Sequence, residues 1–309
     1  MSQVTRQPSP LRPGDRVQLV AASSALLGED ALARLEAGIA VLESWGLEVE
    51  RTPLHGRQWG YLAGQDHQRR GDLEAAARRG AELLACVRGG WGAARLLEAP
   101  LALPARWLLG FSDVTSLLWA QVAQGQGGAI HGPLLTTLAA EPAWSQERLR
   151  CLLFGEPLGE LQGEGWCGGS AAGPLLAANL TVATHLLGTP YLPDLRGTIL
   201  VLEDVGEAPY RIERMLTHWR LGGGLQQLAG IGLGQFTDCD DSTDVADRFS
   251  LEQVLRERTS DLGIPVVSNL PVGHGAGNAA LPLGAWAELD GSSGQLRISS
   301  AKQAPPLPR

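Results

Sequence analysis

Short apolar runs alternate with longer stretches of helical spacing from the N-terminus onward. Residues 17–22 (VQLVAA) predict a buried strand, and residues 30–45 a helix with Leu32, Leu35, Ile39 and Leu42 on one stripe. Gly46 ends that helix and residues 47–51 resume as a strand. The cycle repeats with a charged helix over 66–80, a strand over 82–87, the start of a helix over 93–97, a strand over 107–111 and a helix over 115–123. Strand–helix–strand alternation of this kind predicts a parallel sheet with helices on its faces.

The texture changes near residue 141. Residues 141–146 are polar, and residues 155–173 are dense in glycine with little periodicity. The expected division is therefore an N-terminal α/β domain over 1–150, a linker over 151–170 and a C-terminal domain over 171–309. Within the latter, the pattern predicts helices over 179–187, 209–219 and 250–259 and strands over 198–205, 231–236 and 265–269. A terminal hairpin is expected from 285–289 and 295–298, followed by a frayed proline-rich tail over 302–309. There is no internal repeat.

Composition narrows the function. The chain has 309 residues, a net charge of -8 and 19% charged residues. A nucleic-acid partner would call for a basic patch, so none is expected. Its 40 glycines are dispersed among apolar segments, which fits turns between buried strands rather than a collagen-like or low-complexity chain. The four cysteines (Cys86, Cys151, Cys167 and Cys239) show no C-x-x-C spacing, so no zinc site is expected and a reducing compartment fits. No run approaches the roughly 20 apolar residues of a membrane span. The apolar run after Arg12 and Arg16 is broken by Gln18, Ser23 and Ser24, unlike a secretory leader. A cytoplasmic location with no membrane partner is the expectation.

Four segments carry candidate chemistry. Arg88-Gly89-Gly90-Trp91-Gly92 follows a strand and opens a helix, so its backbone can turn tightly and aim amides at a ligand. The third glycine of G-x-G-x-x-G is missing and no G-K-[ST] occurs, which leaves an anion cradle, an oxyanion hole or a plain βα turn. Gly110-Phe111-Ser112-Asp113 runs a strand into a serine at the edge where open α/β sheets bind ligands. Its spacing only approximates the G-x-S-x-G elbow, and an N-cap is the alternative role for Ser112. Glu203-Asp204 closes a buried strand and needs a partner, for which Arg211 and Arg214 are structural candidates. His274 lies between glycines in a loop, where the alternative is simple solvation. His131 is a candidate cleft residue, whereas His55, His67, His185 and His218 read as surface or packing residues. Taken together, the chain supplies a serine, a carboxylate and a histidine, each at a strand end or loop, as a nucleophile, its base and an orienting group would be.

At these residues the chain resembles the L,D-carboxypeptidase family of serine peptidases, which includes muramoyl-tetrapeptide carboxypeptidases and microcin C immunity peptidases. The resemblance runs from Pro13-Gly14-Asp15 through Tyr61-Leu62-Ala63-Gly64, Asp66, Arg69 and Asp72, then Arg88-Gly89-Gly90-Trp91-Gly92, Gly110-Phe111-Ser112-Asp113 and His131-Gly132-Pro133. It continues through Gly188-Thr189-Pro190, Leu202-Glu203-Asp204-Val205 and Tyr210-Arg211-Ile212 to Gly273-His274, Asn278 and Leu281-Pro282. It implies an N-terminal flavodoxin-like domain holding the nucleophile and a smaller C-terminal α/β domain supplying glutamate and histidine, usually in a homodimer. It further implies a triad of Ser112, Glu203 and His274 and an oxyanion hole from amides near Gly90 and Asp113, without metal or organic cofactor. Arg88, with Gly89, is the expected site for the substrate carboxylate. Two departures stand out: Trp91 replaces a common tyrosine, and Ala177-Ala178 replace two common glycines before Asn179.

The expected reaction is hydrolysis of the amide to a C-terminal D-amino acid, such as the terminal D-Ala of a murein tetrapeptide. Two alternatives remain at this level, a microcin C immunity-type hydrolase of peptidyl or aminoacyl nucleotides and a non-catalytic anion-binding α/β module.

Overall fold

The computed structural model describes residues 5–54, 56–103, 105–240 and 249–299. They form two units, one of Thr5–Leu158 with Ala279–Leu283, the other of Gly159–Asn278 with the described part of Gly284–Arg309.

In the first unit the chain runs β1 (Arg16–Val20), α1 (Glu29–Ser44), β2 (Glu48–Glu50), α2 (Asp66–Arg79), β3 (Leu83–Cys86), β4 (Trp107–Gly110), α3 (Thr115–Ala123), β5 (Ala129–His131), α4 (Leu135–Leu138) and α5 (Ala143–Phe154). The five strands are parallel in the order β2-β1-β3-β4-β5, which is flavodoxin-like. Their buried residues, among them Val17, Leu19, Leu83, Leu84, Leu108, Leu109 and Ile130, form near-continuous apolar runs, as expected of a sheet covered on both faces. Helix α1 buries Ala31, Leu35, Gly38, Ile39 and Leu42, one stripe at helical spacing, and carries Glu29 and Asp30 at its positive N-terminal end. In this strand order the chain reverses direction of progress between β1 and β3. The loops leaving those two strands therefore diverge and open a crevice at the carboxyl edge of the sheet.

The second unit begins with β6 (Leu161–Gln162), β7 (Glu164–Cys167) and β8 (Ser170–Asn179), then α6 (Leu180–Leu186), β9 (Ile199–Val205), α7 (Pro209–Leu221), β10 (Gly230–Thr237), α8 (Leu251–Thr259) and β11 (Val266–Ser268). After β12 (Leu281–Pro282), which pairs antiparallel with β5 in the first unit's sheet, it ends with β13 (Trp286–Asp290) and β14 (Gln295–Ile298). Strands β8, β9, β10 and β11 are parallel, and the full order is β6-β14-β13-β8-β9-β10-β11-β7. The two edge strands, β6 and β7, are separated in sequence by Gly163 alone, so this sheet must curl until its edges meet. Helix starts follow local rules: Pro209 occupies the first turn of α7, and Ser250 with Gln253 forms a capping box on α8.

The stretch expected as a linker, 151–170, differs from that reading. It holds the last turn of α5 and the strands β6 and β7, followed at once by the ten-residue β8. Glycines made it look irregular, yet they are the residues that let strands approach closely; a Cβ at Gly163 would strike the Ser268 carbonyl. The expected frayed tail over 302–309 and His55 lie outside the described residues. No helix among the described residues is long and apolar enough to cross a membrane.

Leu109 is fully buried in β4 within the core between sheet and helices. Leu109→Ala should cost roughly 2–5 kcal/mol. The expected readout is a fall in Tm of several degrees by calorimetry, with an unchanged Tm contradicting this placement of the core.

Candidate active site

The crevice of the first unit is built from the loops after β1, β3 and β4. Ser112 follows β4 directly and has φ 60, the left-handed region that a residue with a Cβ enters at a cost of about 1 kcal/mol or more. Phe111 before it is extended, and Ser112 to Val114 form a short 3-10 turn leading into α3. Neither helical start takes a side-chain cap, so the serine does not act as the N-cap that the sequence allowed. A strained strand-to-helix turn that presents its hydroxyl is the geometry of a nucleophile elbow, reached here without the usual glycine spacing.

The turn after β3 lies against this serine. A Cβ on Gly89 would come 3.1 Å from the Ser112 Cβ and 3.2 Å from its Oγ, so a side chain there would crowd the hydroxyl. Gly90 has φ 110, and a Cβ on it would overlap the Ser24 side chain. Ser24, from the loop after β1, fastens the turn from both sides. Its amide donates to the Gly89 carbonyl (3.3 Å), and its Oγ accepts from the Trp91 amide (3.0 Å). Among the described residues the Gly90 and Asp113 amides donate to no protein group. Two unpaired donors flanking a serine can receive a developing negative charge.

Cys86, in the same segment, is no rival nucleophile. Burial, and secondarily the charge of Asp113, push its thiol up to about 12. Arg88 is half-buried and donates through Nη1 to the Ala25 carbonyl (2.8 Å). Among the described residues it pairs with no carboxylate, so its charge is available to a bound anion. Trp91 is exposed beside the turn, whereas Ala177 and Ala178 are buried in β8. His131 is buried in β5 with its ring edge-on to Phe111 (5.7 Å).

In the second unit, Glu203 and Asp204 end β9 side by side with different partners. Asp204 accepts from the Asn179 amide group (2.9 Å), the Thr181 amide (2.9 Å) and the Thr181 hydroxyl (2.8 Å). Glu203, with no exposed surface, faces Nδ1 of His274 at 2.6 Å. Arg211 pairs instead with Glu207 (3.4 Å), and Arg214 lies over the Tyr210 ring (5.8 Å), so the alternative of a Glu203–arginine ion pair is not realised. Nor is His274 simply solvated, since its ring is held and its side chain is 19% exposed.

Backbone geometry makes this contact possible. Gly273 has φ 131, and a Cβ there would lie 3.0 Å from the Glu203 carboxylate. Its amide donates to Asn278 Oδ1 (3.1 Å), while the Gly275 amide donates to Gln235 Oε1 (2.9 Å). Gln235 sits where the β9–β10 register shifts, between Leu233 and Phe236. A bulge residue of this kind has no sequence signal beyond neighbouring glycines. Burial raises the Glu203 carboxyl, and contact with His274 acts in the opposite sense without cancelling it.

One further cluster has metal-ligand residue types, Glu147, Cys151 and Glu156. Arg150 already pairs with both carboxylates (2.7 and 2.6 Å), so a cation there would have to displace a guanidinium.

Comparison with known proteins identifies the family. Residues 17–132 match the LD-carboxypeptidase N-terminal domain and residues 172–289 match the LD-carboxypeptidase C-terminal domain. The chain belongs to the LD-carboxypeptidase family. It is an enzyme, a carboxypeptidase of that family. A Synechocystis protein provisionally named a carboxypeptidase is 49% identical over 94% of this chain and 96% of its own length. The murein tetrapeptide carboxypeptidase of Pseudomonas aeruginosa is 38% identical over 90% of this chain and 94% of its own. Among solved structures, muramoyltetrapeptide carboxypeptidase from Oxalobacter formigenes superimposes with a TM-score of 0.80 at 27% identity, covering 92% of this chain and 97% of that one. The microcin C7 self-immunity protein in its wild-type unliganded state has a TM-score of 0.83 at 21% identity, over 95% of this chain and 98% of that one, a likeness of fold. Ser112, Gly90 and Arg88 fall in the N-terminal match, and Glu203 and His274 in the C-terminal one.

The state of Glu203 gives this carboxypeptidase a measurable signature. Its carboxyl is raised in the folded chain relative to the unfolded one, so the folded protein holds that proton more tightly. The stability it contributes is complete below the unfolded carboxyl range, near ~4.3, and is lost as pH rises through the raised value. Glu203→Gln keeps an acceptor for His274 and removes the buried charge. It should melt above the parent at pH 7–8, with the difference shrinking toward pH 4 in parallel Tm scans. A variant less stable across the whole range would contradict this assignment.

Proposed function

We propose that this enzyme is a serine-type L,D-carboxypeptidase in which Ser112, His274 and Glu203 act as a triad on the amide to a C-terminal D-amino acid. The substrate class is a small peptide such as a murein tetrapeptide with terminal D-Ala. The observation that carries the reading is the Glu203–His274 contact at 2.6 Å. A buried carboxylate on Nδ1 fixes the tautomer in which Nε2 holds the lone pair, and stabilises the imidazolium once that nitrogen is protonated.

The steps follow from these groups. Ser112 Oγ attacks the scissile carbonyl carbon as its proton passes to His274 Nε2, and the oxygen gains a negative charge that the Gly90 and Asp113 amides receive. The C–N bond breaks as His274 returns the proton to the departing D-amino acid nitrogen. Water then attacks the acyl-serine, gives its proton to His274 and releases the shortened peptide, restoring the Ser112 hydroxyl. Arg88, beside Gly89, is the cation proposed for the free carboxylate that distinguishes a carboxypeptidase substrate. Each oxyanion donor can contribute roughly 100- to 1000-fold. Cytoplasmic peptidoglycan recycling as a homodimer is the setting that suits a murein peptide already released from the wall.

Ser112→Ala should lower cleavage of a murein tetrapeptide by more than about 10⁴-fold, with Tm within a few degrees of the parent. D-Ala release by chromatography measures it. Retained turnover would remove the serine mechanism, and preferential cleavage of an aminoacyl sulfamoyl-adenosine by the parent would reassign the substrate.

A further inference from the structure

The residue after the proposed nucleophile carries a second feature. Asp113 is 2% exposed, and its Oδ2 accepts from the Ala93 amide at 2.8 Å. Arg69 on α2 is completely buried, and its Nη1 donates to the Gly92 carbonyl at 2.8 Å. The Gly92 carbonyl and the Ala93 N–H are the two ends of one peptide group. A carboxylate therefore faces its positive end and a guanidinium its negative end, with the dipole of about 3.5 D aligned between them.

This peptide closes the turn that begins at Gly89 and contains the unpaired Gly90 amide. The same Arg69 nitrogen also donates to the Ala22 carbonyl in the loop after β1, and Nη2 pairs with Asp66 at 2.5 Å, which Arg95 engages in turn (2.8 Å). The Ser23 hydroxyl and the Gly92 amide lie on the Asp113 side. Three loops at the sheet's carboxyl edge are thus tied through one peptide unit. One of the ties, Asp113, is covalently adjacent to Ser112.

We infer that Asp113 and Arg69 are positioning residues which hold the Gly89–Gly92 turn in register with Ser112 by gripping the peptide between Gly92 and Ala93. The inference rests on the serine-peptidase reading and extends it to groups outside the triad. Neither side chain takes part in a bond-making step. Their effect is to keep the Gly90 amide aimed where the oxyanion forms. Losing the grip should then weaken transition-state binding while leaving ground-state binding alone.

The test compares Asp113→Asn and Arg69→Lys with the parent on a tetrapeptide substrate. Asp113→Asn is near-isosteric and Arg69→Lys keeps the buried charge while removing the guanidinium fork, so at least one should fold should the other fail. The expected result is a fall in kcat of roughly 10- to 100-fold with KM within about two-fold. Affinity for a peptide boronate, which forms a tetrahedral serine adduct, should fall by a matching factor. The double variant should be no slower than the worse single one, because both act through one peptide group. An unchanged kcat, a loss in KM alone, or additive effects would each overturn the inference. Labelling of Ser112 by a fluorophosphonate in the parent and its absence in Ser112→Ala tests the underlying reading separately. If that labelling holds while Asp113→Asn retains full kcat, only the positioning role fails.

Discussion

A carboxylate with no exposed surface, 2.6 Å from an imidazole, is the interaction around which the second unit is arranged. Such a group is expensive to bury unless its partner is well placed. Much of the local backbone serves that placement. The β9–β10 register shifts at the level of Gln235, the chain past β11 runs alongside β10, and Gly273 takes a backbone conformation that a side chain would resist. Asp204, one residue on, is held by donors from β8 and α6, the Asn179 amide group and the Thr181 amide and hydroxyl. The two adjacent acids thus have separate work. One holds the start of a helix to a strand end, and the other holds a histidine.

The first unit stores its strain at the serine. A left-handed Ser112 is tolerated because the turn after β3 packs directly on it and because Ser24 and the buried Arg69 and Asp113 fix that turn. The strand order explains why these groups gather where they do. With β1 and β3 adjacent and the connections leaving in opposite senses, the loops after β1, β3 and β4 share one edge, and amides there can face a ligand rather than a neighbouring strand. Natural sequences commonly depart from local preference where function requires it, and Ser112 is such a position.

Much of this was legible in the chain itself. The strands and helices from residue 17 to 123 follow from apolar runs alternating with helical spacing, because a sheet covered on both faces leaves that imprint. The candidate residues stood at strand ends or in loops, where a chain leaves the regular packing of a sheet, and the family motifs ordered them. The region from 143 to 179 was not legible in the same way. Helix α5 starts within a polar stretch, and β6 to β8 are rich in glycine, which has no side chain to report a face. Their pairing depends on partners such as β13 and β14, more than a hundred residues away, which no local window contains. Gln235 and Ser24 carry no local signal for a related reason, since each acts by bonding a backbone amide of a distant loop.

The proposed triad requires that the Glu203–His274 pair activate Ser112. The most direct measurement is the rate at which a peptide phosphonate forms a covalent adduct on Ser112, followed by intact mass and peptide mapping in the parent and in Glu203→Gln. The adduct should form on Ser112, at least about 100-fold faster in the parent. Equal rates in the two proteins, or an adduct on any other residue, would contradict the triad.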